Sequence, residues 1–292
     1  MSKPYTAAEL IQQGLTHHRA GQVSLAMDRY TEVLRTDPQN ADALYYIAVV
    51  ACHEGQFQQG IELARRSLTF RPRQARAHNL IGQALHRMGK IKDALESFDT
   101  ALECDANFAD AYGNRANMLS ELGRAAEALS SFDRALALNP KSAIDWVNRG
   151  ATLHSLGRID EAIASYDRAI ALDAEFAIAH LNRAGLMAEV GRWPEALAGF
   201  DCAIALVPKV PPAHLGRALA LQNLGRFAEA LETCDRAIAL QEDFADSHKR
   251  RAAILEAMGR ADEAKASLAR TAELEALAPE AAVGTAPSQN RQ

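Results

Sequence analysis

Eight glycines fall on one comb: Gly21, Gly55, Gly89, Gly123, Gly157, Gly191, Gly225 and Gly259, each 34 residues after the one before. Eight of the chain's 17 glycines keep this spacing without a slip, so the sequence is a tandem array of one short unit. Such a unit cannot bury its apolar face alone; it folds by stacking on its neighbours. A 292-residue chain could otherwise be divided into two ordinary domains. Hydrophobic residues make up 48% of the chain but aromatics only 6%, with alanine prominent. That balance suits helices packed at close distance better than sheets, which favour branched and aromatic residues.

The register follows from what surrounds each glycine. In the fifth unit, Ile144 to Leu156 reads as a first helix, and Gly157 supplies the left-handed residue that ends it. Asp160 and Glu161 then open a second helix, where carboxylates face the positive end of the helix dipole. Acids recur at that place as Asp93, Glu127, Glu195, Glu229 and Glu263, and Pro194 sits where a first helical turn tolerates proline. Pro38, Pro72, Pro140 and Pro208 close their units. Seven residues before each comb glycine stands Gly or Ala (Gly14, Gly82, Ala116 and Ala184 among them), and five residues after it another. A bulky column, Tyr30, Phe98, Phe132, Tyr166 and Phe200, fills the space these small residues leave.

Small, small, aromatic, alanine and proline at these offsets in a 34-residue unit resemble the tetratricopeptide repeat. The resemblance covers nearly the whole chain: eight units at 7–40, 41–74, 75–108, 109–142, 143–176, 177–210, 211–244 and 245–278, after a lead-in over 1–6. It implies an all-α fold, a right-handed superhelix of antiparallel helix pairs, whose first helices line a concave groove for a protein or peptide partner. The text "AYGNRANMLSELGRAAEALSSFDRALALNP" is also similar to the repeats of bacterial O-GlcNAc-transferase-like proteins. In those proteins a glycosyltransferase region follows the repeats, whereas this sequence carries none through Gln292. The expectation is therefore a binding scaffold and not an enzyme. The alternatives are a recognition arm for a separate transferase and a structural homo-oligomer built by end-unit stacking. The tail over 279–292, rich in Ala, Pro, Ser and Gln, is expected to be disordered.

By the same resemblance the second, fifth, sixth, ninth, twelfth and thirteenth residues of each first helix face the groove. The sixth place holds Asn114, Asn148 and Asn182 in consecutive units. A side-chain amide donates and accepts at once, so a ladder of amides can hold the backbone of an extended chain without reading its side chains. The superhelix of peptide O-GlcNAc transferases uses a similar ladder. The same asparagines are equally accounted for as common repeat text that binds nothing. Asn117, Glu121 and His154 are polar neighbours in the expected groove, and Val147, Leu181, Leu215 and Leu219 are apolar ones. Apolar floor positions point to a partly hydrophobic partner. Units three to seven carry no groove lysine, so the two-carboxylate clamp of chaperone-tail adaptors is not assembled.

Two other columns read as structural. Arg115, Arg149, Arg183, Arg217 and Arg251 each follow an aspartate (Asp99, Asp133, Asp167, Asp201, Asp235) by 16 residues, the offset from one unit's second helix to the next unit's first. An ion-pair ladder explains both columns without an anionic ligand. His78, His180, His214 and His248 share the slot of Tyr112 and Trp146, where a planar side chain packs on the neighbouring helix; they are too far apart to share a metal. No phosphate-cradling loop, nucleophile elbow or zinc-protease helix occurs, and no cofactor, metal or catalytic residue is expected.

The formal charge of −5 argues against a nucleic-acid partner. The start, Met1 to Thr6, holds no signal-peptide core, and the longest apolar stretch, Tyr45 to Cys52, is too short to cross a bilayer. Cys52, Cys104, Cys202 and Cys234 lie far apart with no C-x-x-C pair, as expected of buried reduced thiols in a cytoplasmic protein.

Overall fold

A computed structural model describes residues 5–277. The disorder expected over 279–292 lies outside the described residues. Among those described, the fold is all-α, with sixteen helices and no strand. They cluster into two compact units that divide between Arg158 and Ile159. The first unit holds α1 (Ala7–Arg19), α2 (Val23–Thr36), α3 (Ala41–His53), α4 (Phe57–Phe70), α5 (Ala75–Arg87), α6 (Ile91–Cys104), α7 (Ala109–Glu121), α8 (Ala125–Leu138) and α9 (Ala143–Ser155). The second holds α10 (Ile159–Leu172), α11 (Ala177–Glu189), α12 (Trp193–Leu206), α13 (Pro211–Asn223), α14 (Phe227–Leu240), α15 (Ala245–Ala257) and α16 (Ala261–Leu277).

In the first unit α1/α2, α3/α4, α5/α6 and α7/α8 pair as hairpins, and each even-numbered helix packs on the odd-numbered helix that follows. Helices α3, α5, α7 and α9 also touch in sequence, so the first helices form a continuous face of their own. The second unit repeats the pattern with α11/α12, α13/α14 and α15/α16, and α10 packs on α11.

The comb glycines do what their spacing requires. All eight sit at φ between +71° and +78°, the left-handed region that other residues enter only with strain. At Gly123 the glycine N–H donates to the Ser120 carbonyl (3.0 Å) and the Arg124 N–H to the Leu119 carbonyl (2.8 Å), which closes α7 in a Schellman motif. Helix α9 begins one residue earlier than its apolar pattern suggests, because the Ser142 hydroxyl accepts from the Asp145 N–H and caps it. At the starts of α8, α14 and α16, Arg124, Arg226 and Arg260 fold onto Glu127, Glu229 and Glu263 at 2.6–2.7 Å. Hydrogen bonds from these guanidinium groups hold the three carboxyls below their ordinary range.

The core is built on the small-residue columns. Tyr30, Phe98, Phe132, Tyr166 and Phe200 are buried, and Gly14 and Gly82 lie directly against the rings of Tyr30 and Phe98. Leu268, the corresponding residue of the last described helix, is 44% exposed because no described helix follows α16 to cover it.

The arginine ladder is present at every rung. Arg115, Arg149, Arg183, Arg217 and Arg251 donate from Nε to Asp99, Asp133, Asp167, Asp201 and Asp235 at 2.5–2.7 Å. Arg115, Arg217 and Arg251 also donate from Nη1 to Ser131, Thr233 and Ser267, so each joins three consecutive helices. The aspartates are about half exposed, which keeps the net stabilisation per pair near 0–1 kcal/mol. The ladder therefore sets register more than it adds stability.

The histidine column does more than pack. His78, His180, His214 and His248 each hydrogen-bond through Nε2 to the backbone carbonyl six residues earlier at 2.8–3.2 Å, and Trp146 donates to Pro140 at 3.1 Å in the same way. The carbonyl accepts, so Nε2 carries the proton in these histidines. All four cysteines are free. Burial pushes the Cys234 thiol up to about 12, but against the expectation that all four thiols are buried, Cys52 and Cys104 are only half-buried and Cys202 is exposed on the outward side of α12. No helix among the described residues is long and apolar enough to cross a membrane.

Candidate functional site

The expected groove residues fall into two sets. Asn114, Asn117 and Glu121 lie on α7 and Val147, Asn148 and His154 on α9, all in the first unit; Leu181, Asn182, Leu215 and Leu219 lie in the second. In the first unit the asparagines meet one another across neighbouring helices. Asn114 Nδ2 donates to Asn79 Oδ1 on α5 at 3.0 Å, and Asn148 Nδ2 donates to Asn117 Oδ1 at 3.1 Å. Each link uses one donor and one acceptor. The Asn114 carbonyl and the Asn117 amino group therefore keep hydrogen-bonding capacity to spare.

Val147 requires a correction. It is 4% exposed and belongs to the core, not to an open face: a branched apolar side chain at this place gains more by packing inward than by facing water. Leu181 and Leu215 are half-buried and lean on the core of the second unit, which leaves only part of each open. His154 is exposed on α9.

Asn114 and Asn117 open onto a cleft of about 300 Å³ in the first unit. Its apolar lining comes from Phe57, Leu80, Ala84, Phe98 and Met118, and its polar lining includes Gln83, His86 and Arg87 from α5 and Cys52 and His53 from α3. Gly60 makes room for this wall: a Cβ there would stand 2.3 Å from Cys52 Sγ. Burial raises the Cys52 thiol above its ordinary range and keeps it protonated.

The charges around the cleft are mostly committed. Glu121 bonds His86 Nε2 at 2.9 Å, and His53 Nδ1 meets His18 Nε2 at 3.3 Å. Burial, followed by the nearby His53, lowers the pKa of His18, so that ring favours the neutral form. Arg87 is different. Its guanidinium lies 5.5 Å from the centroid of Phe57 and makes no ion pair or hydrogen bond with any described residue.

Sequence reasoning missed Asn79, Phe57, Gln83, His86 and Arg87. Four of these were within reach of the same positional rule. Asn79, Gln83, His86 and Arg87 are the fifth, ninth, twelfth and thirteenth residues of α5, but the asparagine column drew the reading one unit too late. Phe57 comes from a second helix, which that rule does not cover. Among the described residues no cluster of three or more His, Cys, Asp or Glu could hold a metal.

Family models place this architecture. Residues 79–143 and 188–245 match a model described as tetratricopeptide repeat, as do residues 131–164; residues 150–191 match one described as TPR repeat. Residues 19–101 match the model of anaphase-promoting complex, cyclosome, subunit 3. A Hordeum vulgare protein described as a probable UDP-N-acetylglucosamine–peptide N-acetylglucosaminyltransferase, SPINDLY, is 27% identical over 112 residues, 36% of this chain and 12% of its own length. The small glutamine-rich tetratricopeptide repeat-containing protein 2 of Saccharomyces cerevisiae is 28% identical over 105 residues, 35% of this chain and 30% of its own length. The chain thus spans less than a third of either relative. Among solved structures, PilW, a type IV pilus biogenesis factor, superposes with a TM-score of 0.63 at 26% identity, covering 70% of this chain and 94% of PilW. With the glycine comb, the paired helices and the ring-on-small-residue core, these matches establish that the chain belongs to the tetratricopeptide-repeat family.

Proposed function

We propose that the chain is a non-catalytic interaction scaffold that holds an extended segment of a partner protein on the first-helix face of its first unit. Tetratricopeptide-repeat proteins are in general protein-interaction scaffolds. The observation that carries it is the pair of amide links, Asn79–Asn114 and Asn117–Asn148, beside an apolar cleft. The links hold two amides in fixed orientation, so the remaining donor and acceptor are pre-organised for a peptide backbone and lose little rotamer entropy on binding.

A second reading draws on the likeness to SPINDLY: the segment held is the substrate of a separate sugar transferase, which this chain presents.

Peptides selected on the full chain from a randomised display library test the main reading. A hydrogen bond contributes about 0.5–1.5 kcal/mol net, so losing two in the Asn114→Ala/Asn117→Ala variant should weaken the selected peptides by roughly five-fold or more. Affinities unchanged by the double variant would place binding elsewhere.

A further inference from the structure

On the basis of this groove reading, we infer that the cleft beside Asn114 and Asn117 recognises a peptide carrying a large apolar side chain within two residues of an aspartate or glutamate, the apolar group entering the cleft and the carboxylate pairing with Arg87.

The apolar half of the motif comes from the cleft itself. A volume of about 300 Å³ lies at the small end of ligand pockets, about 300–1,000 Å³, and suits one side chain better than a cofactor. Phe57, Leu80 and Met118 offer it an apolar surface, while the amides of Asn114 and Asn117, which also line it, are there to bond a peptide backbone.

The acidic half comes from charge. The arginines of the ladder and of the helix starts all have carboxylate partners, whereas Arg87 has none among the described residues. It is exposed, stands on an aromatic face at the cleft, and offers its whole fork of donors. Along the sequence its neighbours share its sign, although Arg71 and Arg76, at the far end of α5, are taken by Asp42. From Leu63 to Lys92 the chain carries Arg65, Arg66, Arg71, Arg73, Arg76, Arg87, Lys90 and Lys92 and not one Asp or Glu, although the chain as a whole has a net charge of −5. Such a local excess draws an acidic segment in and disfavours a basic one.

A carboxylate fits better than a phosphate. Only one unpaired fixed cation lines the cleft, and Glu121, held by His86, stands nearby. A dianionic phosphate needs more than one cation and would meet that repulsion.

The test uses the full chain and the same randomised display library. Enriched peptides should share an apolar residue next to, or one residue removed from, an Asp or Glu. Arg87→Glu should weaken them on the order of ten-fold or more, with Arg87→Lys intermediate because it keeps the charge and loses the fork. Added salt should weaken binding to the wild type and have little effect on binding to Arg87→Glu. Arg87 is exposed, so these variants should fold as the wild type does, which helix circular dichroism verifies. If enriched peptides lack carboxylates and Arg87→Glu leaves them unchanged while Asn114→Ala/Asn117→Ala still removes them, the acidic motif is wrong and the groove stands. If no variant on this face alters any selected peptide, both fall.

Discussion

Replacing Phe132 by alanine should destabilise the first unit by about 3–5 kcal/mol, the range for deleting a buried aromatic ring. Phe132 has no exposed surface and shares a core cluster with Ala116, Ala128, Met118 and Leu119. Its neighbours are already small at the two places where the helices approach, so they cannot expand to fill the space, and the cavity cost adds to the lost transfer energy. Urea unfolding followed by helix circular dichroism reads the effect. Leu25→Ala serves as the control: that side chain is 43% exposed, and its loss should stay within about 0.5 kcal/mol. Because each repeat touches only its neighbours, the damage should centre on α7 to α9 and leave the second unit's transition in place. A loss below about 1 kcal/mol for Phe132→Ala would mean that the ring column does not carry the core in the way the packing implies.

Gly82→Val should also destabilise the first unit, by about 1–3 kcal/mol, for the opposite reason. A Cβ on Gly82 would stand 2.6–2.8 Å from three atoms of the Phe98 ring, and Phe98, 1% exposed, could yield only by shifting toward the cleft it lines. Removing a glycine from a helix interior gains up to about 1 kcal/mol in propensity, less for a β-branched residue. Overpacking costs about 1–3 kcal/mol, and valine adds two further carbons beyond the clashing Cβ, so the loss wins. The pairing makes the prediction specific. In a Phe98→Leu background the same substitution should cost less than in the wild type, because the flexible leucine can turn away from the new methyls. Strict additivity of the two changes in urea midpoints would rule out the direct contact.

How much of this was legible in the sequence varied with the kind of contact. The comb glycines predicted left-handed residues at the helix ends, and all eight have that conformation, because the requirement is local to one turn. The arginine ladder was legible too: a constant offset between opposite charges survives translation from repeat to repeat, and the pairs form at every rung. The histidine slot shows in the sequence only as a place for a planar packing side chain. Its bond to a carbonyl six residues back depends on the path of the loop between helices, which no side-chain pattern encodes.

The candidate site was the least legible part. A column at the sixth place suggested amides stacked one above another, but the links run diagonally, from Asn114 to Asn79 at a fifth place and from Asn148 to Asn117 at a ninth. Side chains on adjacent helices meet according to the tilt between the helices, so equal positions in successive repeats need not touch. Val147 illustrates the same limit, since a positional rule taken from the family resemblance cannot tell an open groove from one already filled by neighbours. The cleft at Arg87 draws on helices of three successive repeats, and no one of them signals it alone.

Hydrogen exchange of the full chain, with and without a saturating library-selected peptide, tests the central claim most directly. The account predicts slowed amide exchange in α3, α5 and α7, strongest around Arg87 and Asn114, with little change in α6 and α8. Protection confined to α6 and α8, or to the second unit, would contradict it.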